Sequence, residues 1–416
     1  MRVVARPPDG AVSSVLAGLF ETEGRRVYAA LVRLLGDFDR AEEATQIAFA
    51  AAAERWPAEG IPRNPVPWLI SAGRFRMIDQ MRRAHRMVGW SDEAERVAEQ
   101  PDPQEPEPIE DDRLRLIFIC CHPSLSEEAA VAMTLREVCG LSTEAIASAF
   151  LLSAPALAQR IVRAKAKIRA ARIPYEVPEI DEMPRRLDRV LRVVYLVFTE
   201  GYASAGGETL VRADLMAEAI RLGRLILALL PGAEVRGLLA LMILQHARRA
   251  TRVSPEGDLV PLDEQDRSLW DRSAIAEGAA LVRQALSSGQ GGPYALQAAI
   301  AALHAEAPSV EATDWAEIAG LYAVLLQVEP TPVIALNHAV AVAMRDGPEA
   351  GLALIDPLLR ADGFARYHRA HAARADLLHR IGRADAARQS YETAHALATQ
   401  EVERRFIARR LAELGG

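Results

Sequence analysis

An all-α fold is what this sequence predicts, on three observations. Ala, Leu and Arg dominate its 416 residues and aromatic side chains make up only 5%, a composition of strong helix formers. Apolar residues recur at helical spacing in one segment after another. Runs of β-branched residues are scarce, and no stretch shows the strict alternation of a half-buried strand.

The first helix is read from Val12 to Leu35, with Val15, Leu19, Val27, Leu31 and Leu34 in register and Gly36 as its stop. Asp37-Phe38-Asp39 opens a second, because carboxylates are favoured at the positive end of a helix dipole. This helix, DRAEEATQIAFAAAAERW, turns Ala44, Ile47, Ala48 and Ala51 inward and Glu42, Glu43 and Gln46 outward. Trp56-Pro57 is expected to end it, since a residue before proline avoids the helical region. Pro57 to Pro67, with four prolines, reads as a loop. Trp68 to Arg86 reads as a third helix, with Ile70, Met77, Ile78 and Met81 on one side. Arg76, Asp79, Gln80, Arg83 and Arg86 occupy the other, either as solvated charges or as a nucleic-acid surface.

Residues 88–112 hold ten acids and four prolines, too little apolar surface to fold, so they read as an extended linker. Residues 112–172 read as a four-helix module that ends at Ile173-Pro174. Within it, Glu127 to Cys139 is an apolar helix stopped by Gly140. The stretch LSTEAIASAFLLSAPALAQRIVRAKAKIR then spells two helices with a tight turn between them. Ser142 or Thr143 caps the first, and Pro155 suits the first turn of the second. At about 100° per residue, Leu157, Ile161, Ala164 and Ile168 share one arc of that second helix. Ala156, Gln159, Arg160, Arg163 and Lys167 share another. One side packs and a cationic side is left for a partner, the pattern of a helix-turn-helix that enters a DNA major groove.

The second half continues in helices: Met183 to Val197, Arg212 to Leu230, Glu234 to Ala250, Ser268 to Leu286, Pro293 to Glu306 and Asp314 to Val328. Near the end, two helix–glycine–helix units place their turn glycines, Gly347 and Gly382, 35 residues apart. That is close to the roughly 34-residue period of a tetratricopeptide unit.

Charge patterning narrows the function. The net charge of −7 hides a strong asymmetry. Residues 1–90 are net +3, 91–112 are net −9, 113–172 are net +5 and 173–416 are net −6. The chain's two lysines, Lys165 and Lys167, both lie in the cationic helix. Cys120, Cys121 and Cys139 form no zinc-binding pair and read as buried helical thiols in a reducing compartment. Histidines in the last third come without HExxH, a phosphate loop or a nucleophile elbow, so no enzyme, metal site or cofactor is expected. MRVVARPPDG lacks the apolar core of a signal peptide and no apolar run is long enough for a membrane span, which points to the cytoplasm.

An acid-capped helix, a proline loop, a tryptophan-led basic helix, an acidic linker and a helix-turn-helix follow in that order. The order resembles a bacterial RNA polymerase sigma factor of the sigma-70 class, extracytoplasmic-function type. DRAEEATQIAFAAAAERW is similar to the family's region 2.2, PWLISAGRFRMIDQMRR to regions 2.3 and 2.4, and LREVCGLSTEAIASAFLLSAPALAQRIVRAKAKIR to region 4. Residues 173–416 resemble the helical, tetratricopeptide-like extension of one subgroup, through VRADLMAEAIRLGRL, LVPLDEQDRSLWD, GPYALQAAIAALHAEA and RADLLHRIGR. Phe75 stands where the family usually has asparagine, and Ala156 where many members have threonine.

The resemblance implies a promoter-recognition subunit rather than an enzyme, with core RNA polymerase (its clamp helices and flap) and promoter DNA as partners. It divides the chain into region 2 (10–87), linker (88–112), region 4 (113–173), a helical extension (174–300) and tetratricopeptide-like repeats (301–416) open to a protein or peptide partner. It places Asp39, Glu42, Glu43 and Gln46 on or near the polymerase-docking face. It assigns Trp68, Arg74, Arg76, Gln80, Arg82 and Arg83 to the −10 element, although Trp68 reads more readily as a core anchor. Ala156, Gln159, Arg160, Arg163, Lys165 and Lys167 fall to the −35 element, with Lys165, Lys167 and Arg169 as phosphate contacts. The competing expectation is a helix-turn-helix regulator with a helical sensor domain, acting without polymerase.

Overall fold

The computed structural model describes residues 11–88, 109–150, 152–179, 181–202, 213–254, 257–287, 289, 291–360 and 364–414. They are helical, and the β-structure among them is an isolated bridge between Val253 and Leu259. The chain divides into two compact units, residues 1–196 and 197–416. The expected acidic linker lies largely outside the described residues.

The first unit begins with α1 (Ala11–Leu35), α2 (Phe38–Glu59) and α3 (Pro65–Val88), each packed on the other two. Asp37 caps α2 by accepting the N–H groups of Asp39 and Arg40. The α2–α3 contact is close because both sides are small. A Cβ on Gly73 would sit 2.6 Å from the Ala44 carbonyl oxygen. Two proline expectations change. α2 runs through Pro57 to Glu59 and ends on Gly60, whose φ of 81° suits glycine. Trp56 is buried, and that burial offsets the hydrogen bond that Pro57 cannot donate. α3 starts at Pro65 rather than Trp68, since first-turn positions need no N–H partner.

α4 (Ile109–Cys120) packs on α1. Its Asp112 is buried between Arg33 of α1 and Arg115. α5 (Glu127–Met133) does not remain α-helical to Cys139. Thr134–Val138 forms a π turn, closed by the Cys139 N–H on the Thr134 carbonyl at 3.0 Å. Such turns weaken the regular ladder and recur where a side chain has to be aimed, and this one carries the fully buried Glu137. α6 (Thr143–Ala149) and α7 (Ala154–Ala170) are the helix-turn-helix, each started by a serine hydroxyl, Ser142 and Ser153. Cys120 and Cys121 are buried, as expected, and burial pushes the Cys121 thiol up to about 11. The start of α8 (Met183–Tyr202) completes the unit. Arg186 and Arg189 donate to the carbonyls of Phe118 and Leu125, and Arg192 pairs with Glu127 at 2.8 Å.

The second unit holds α9 (Ala213–Leu229), α10 (Ala233–Ala247), α11 (Arg272–Ser287), α12 (Pro293–Glu306) and α13 (Trp315–Val328). α10 carries the chain's longest apolar run and is buried nearly all round. A Cβ on Gly237 would fall 2.4 Å from the Ala295 backbone nitrogen, so only glycine lets α10 and α12 approach this closely. Side chains from elsewhere cap both ends of α12. Glu234 accepts the N–H groups of Gly292, Tyr294 and Ala295. Buried Arg267 donates to the carbonyls of His304 and Ala307 at 2.8 and 2.7 Å.

The two sequence repeats are helix pairs, α14 (Pro332–Asp346) with α15 (Pro348–Leu359) and α16 (His368–Arg380) with α17 (Ala384–Leu397). Gly347 and Gly382 turn between them at φ 104° and 76°. α18 (Glu401–Glu413) returns to the 257–264 loop, where Arg405 binds Asp258 at 2.8 Å and Arg409 meets Glu264.

Candidate nucleic-acid and polymerase interface

α7 is anchored by Leu157, Ile161, Ala164 and Ile168, all buried as the spacing predicts. Its outward face is Ala156, Gln159, Val162, Arg163, Ala166 and Lys167. This differs from the expected cationic arc in three ways. Arg160 sits at the margin, half-buried. Val162, which the sequence reading passes over, lies along one edge of the exposed strip and is 62% exposed. Its signal was its position outside the apolar arc.

Lys165 is the third difference. Its side chain is only 13% exposed and turns toward α1 and α2, away from the open face. The ammonium lies 3.1 Å from the Glu137 carboxylate and 2.8 Å from that of Asp39, beside the ring of Phe38. The other Glu137 oxygen accepts the hydroxyl of buried Tyr28. Burial alone would lower the Lys165 pKa, but Glu137 and Asp39 outweigh it and the net shift is upward. Burial, reinforced by Glu137, pushes Tyr28 well above its ordinary value, so it stays a hydroxyl donor.

This network binds the helix-turn-helix to the acidic face of α2. Arg169 pairs with Asp37 at 2.9 Å, and Arg136 approaches Glu42 at 3.6 Å. Asp39 and Glu42 are therefore engaged within the chain. Glu43 accepts from Gln80 of α3 at 2.9 Å, and Gln46 is exposed.

On α3, Gln80, Arg82 and Arg83 are exposed and Arg74 and Arg76 are half-buried. Arg83 pairs with Asp79 at 2.7 Å, and Arg76 approaches Glu54 at 3.6 Å. Trp68 meets buried Trp56 edge-on, with ring centroids 5.3 Å apart, an anchoring contact. Phe75 is the unexpected member: it is 74% exposed, on the same outward side as Ser71 and Arg82.

Family models cover both halves of this arrangement. Residues 19–87 match Sigma-70 region 2, and residues 115–168 match Sigma-70, region 4. A protein of Rhizobium meliloti (strain 1021), itself described as uncharacterized, is 45% identical over 393 residues and spans 92% of both chains. The chain is a sigma-70-class sigma factor of the extracytoplasmic-function type with a C-terminal extension. As such it acts in promoter recognition and transcription initiation, and its sigma regions imply binding to core RNA polymerase and promoter DNA. The families of these regions are not enzymes. Residues 186–286 of the sigma factor match a family of unknown function (DUF6596). The crystal structure of yeast Tom70 aligns over 97% of the sigma factor and 84% of its own chain, at 10% identity and a TM-score of 0.32, too low to carry an argument.

No helix among the sigma factor's described residues is long and apolar enough to cross a membrane, and no cluster of metal ligands occurs among them. Its extension contains a cleft of about 460 Å³ lined by Trp315, Tyr322, Asn337, Asp376 and Arg380, among others.

Proposed function

We propose that the outward face of α7 reads the −35 element, that α3 contacts the −10 element, and that the acidic side of α2 docks on the clamp helices of core polymerase. The observation that carries this reading is the outward strip of α7. Gln159, Arg163 and Lys167 stand exposed beside small residues while the opposite side of the helix is buried. Arginine and glutamine forks match the acceptor and donor edges of guanine and adenine, and lysine suits phosphate. Lys165 does not belong to that strip while it is paired with Glu137.

In this reading, polymerase binding exchanges partners. Asp39 and Glu42 give up Lys165, Arg169 and Arg136 for cations on the polymerase, which releases α7 from α2. The domain limits proposed are region 2 over 10–87, linker over 88–112 and region 4 over 113–173. The extension regulates the sigma regions or adds a protein contact, and its cleft suits a peptide or a protein helix. The protein works in the cytoplasm and performs no catalysis of its own.

Run-off transcription of genomic fragments by core polymerase reconstituted with the full chain tests the reading. Discrete start sites that depend on the added chain are expected. DNA binding by the chain alone, with no capture of core polymerase, would sink it.

A further inference from the structure

Among the described residues of the helix-turn-helix, Val162 is the most exposed large apolar side chain. Burial does not account for valine there, since the side chain is 62% exposed. It lies outside the buried arc of Leu157, Ile161, Ala164 and Ile168. A β-branched residue at an exposed helical position also forms helix less well than alanine, which flanks it at Ala158 and Ala166.

We infer that Val162 reads a thymine methyl group in the −35 element, a specificity contact that rests on α7 being the −35 reader. Gln159 and Ala166, three residues before and four after, are its neighbours on the outward strip, and Arg163 and Lys167 lie farther round the same strip. A groove-facing strip of this kind uses polar forks for base edges and an apolar group for the thymine 5-methyl, which projects into the major groove. Exposed Ala156 and Ala166 keep the strip low, so the helix can approach the base edges. Valine in a helix is held almost entirely in one χ1 rotamer, which fixes its two methyl groups in space. That rigidity favours discrimination, because no rotamer change lets the side chain avoid a base that lacks the methyl.

The test uses holoenzyme made from core polymerase and the full chain, on a promoter found by run-off transcription. Each −35 thymine is replaced in turn by deoxyuridine, which removes only the methyl, and promoter affinity is measured for wild type, Val162→Ala and Val162→Thr. At one thymine, deoxyuridine should weaken wild-type binding by about four-fold, the value of one buried methyl-sized group. Val162→Ala should bind thymine and deoxyuridine equally there, and Val162→Thr, which keeps one methyl, should fall between. The inference is overturned if every replacement is neutral, if the penalty persists in Val162→Ala, or if the −35 element holds no thymine. Absence of any start site would instead remove the sigma-type reading of α7 on which the inference stands.

Discussion

Replacing Lys165 by methionine isolates the network that holds α7 to Glu137 of the π turn and, through Tyr28 and Asp39, to α1 and α2. The substitution keeps most of the length of the side chain and removes its charge. Glu137, which is 0% exposed, would then keep only the Tyr28 hydroxyl as a partner. Stranding one member of a buried ion pair costs about 3–5 kcal/mol. The low end applies, because Lys165 retains some exposure and its second partner, Asp39, is 66% exposed and contributes little. A loss of about 3 kcal/mol corresponds to a 10²-fold rise in the open population. Hydrogen-exchange mass spectrometry on the full chain should show α7 amides exchanging faster by about that factor in Lys165→Met. The double variant Glu137→Gln/Lys165→Met should recover at least half, since the uncompensated charge is gone. Because the Lys165 pKa is raised in the folded chain, the wild-type tie is complete below about 10.5. It is lost only as pH rises above that value, through the raised folded pKa. Unchanged α7 exchange in Lys165→Met, or a double variant as weak as the single one, would refute the argument.

Three further outcomes are expected. Burial, then Arg248 and Arg267, lower the His304 pKa to about 4 from 6.5. The second unit should therefore lose about 3 kcal/mol as pH falls from about 6.5 to about 4, and thermal melts of His304→Gln should lack that slope. A fragment ending at residue 173 should unfold in less urea than one ending at 202, by several kcal/mol. It loses the Arg186 and Arg189 bonds to the carbonyls of Phe118 and Leu125, about 1.5–3 kcal/mol each; equal midpoints would refute this. Phe75→Ala should leave stability within about 0.5 kcal/mol, as for an exposed site. If Phe75 stacks on an unpaired −10 base it should also slow open-complex formation by about ten-fold; unchanged permanganate reactivity of the −10 thymines would count against that role.

Periodicity sufficed for the helices. The buried arc of Leu157, Ile161, Ala164 and Ile168, the serine caps and the turn glycines Gly347 and Gly382 are local features, written within a few residues of where they act. The order from the acid-capped helix to the helix-turn-helix was enough to suggest the sigma family, which the region 2 and region 4 matches bear out. The proline rules erred at Pro57 and Pro65, where burial of Trp56 and the free first-turn positions of α3 outweighed a local preference.

What the sequence could not decide is where a charged side chain ends up when its partner is far along the chain. Lys165 reads as one more cation of a basic helix, yet it meets Asp39 across 126 residues and Glu137 at a π turn that no local pattern announces. The caps of α12 by Glu234 and Arg267 arise from equally distant segments. Local hydrophobic spacing thus determined the helices and their buried faces, because those depend on neighbours within a turn or two. Tertiary packing alone decided which charges are desolvated and paired, and so which cations of α7 stay exposed.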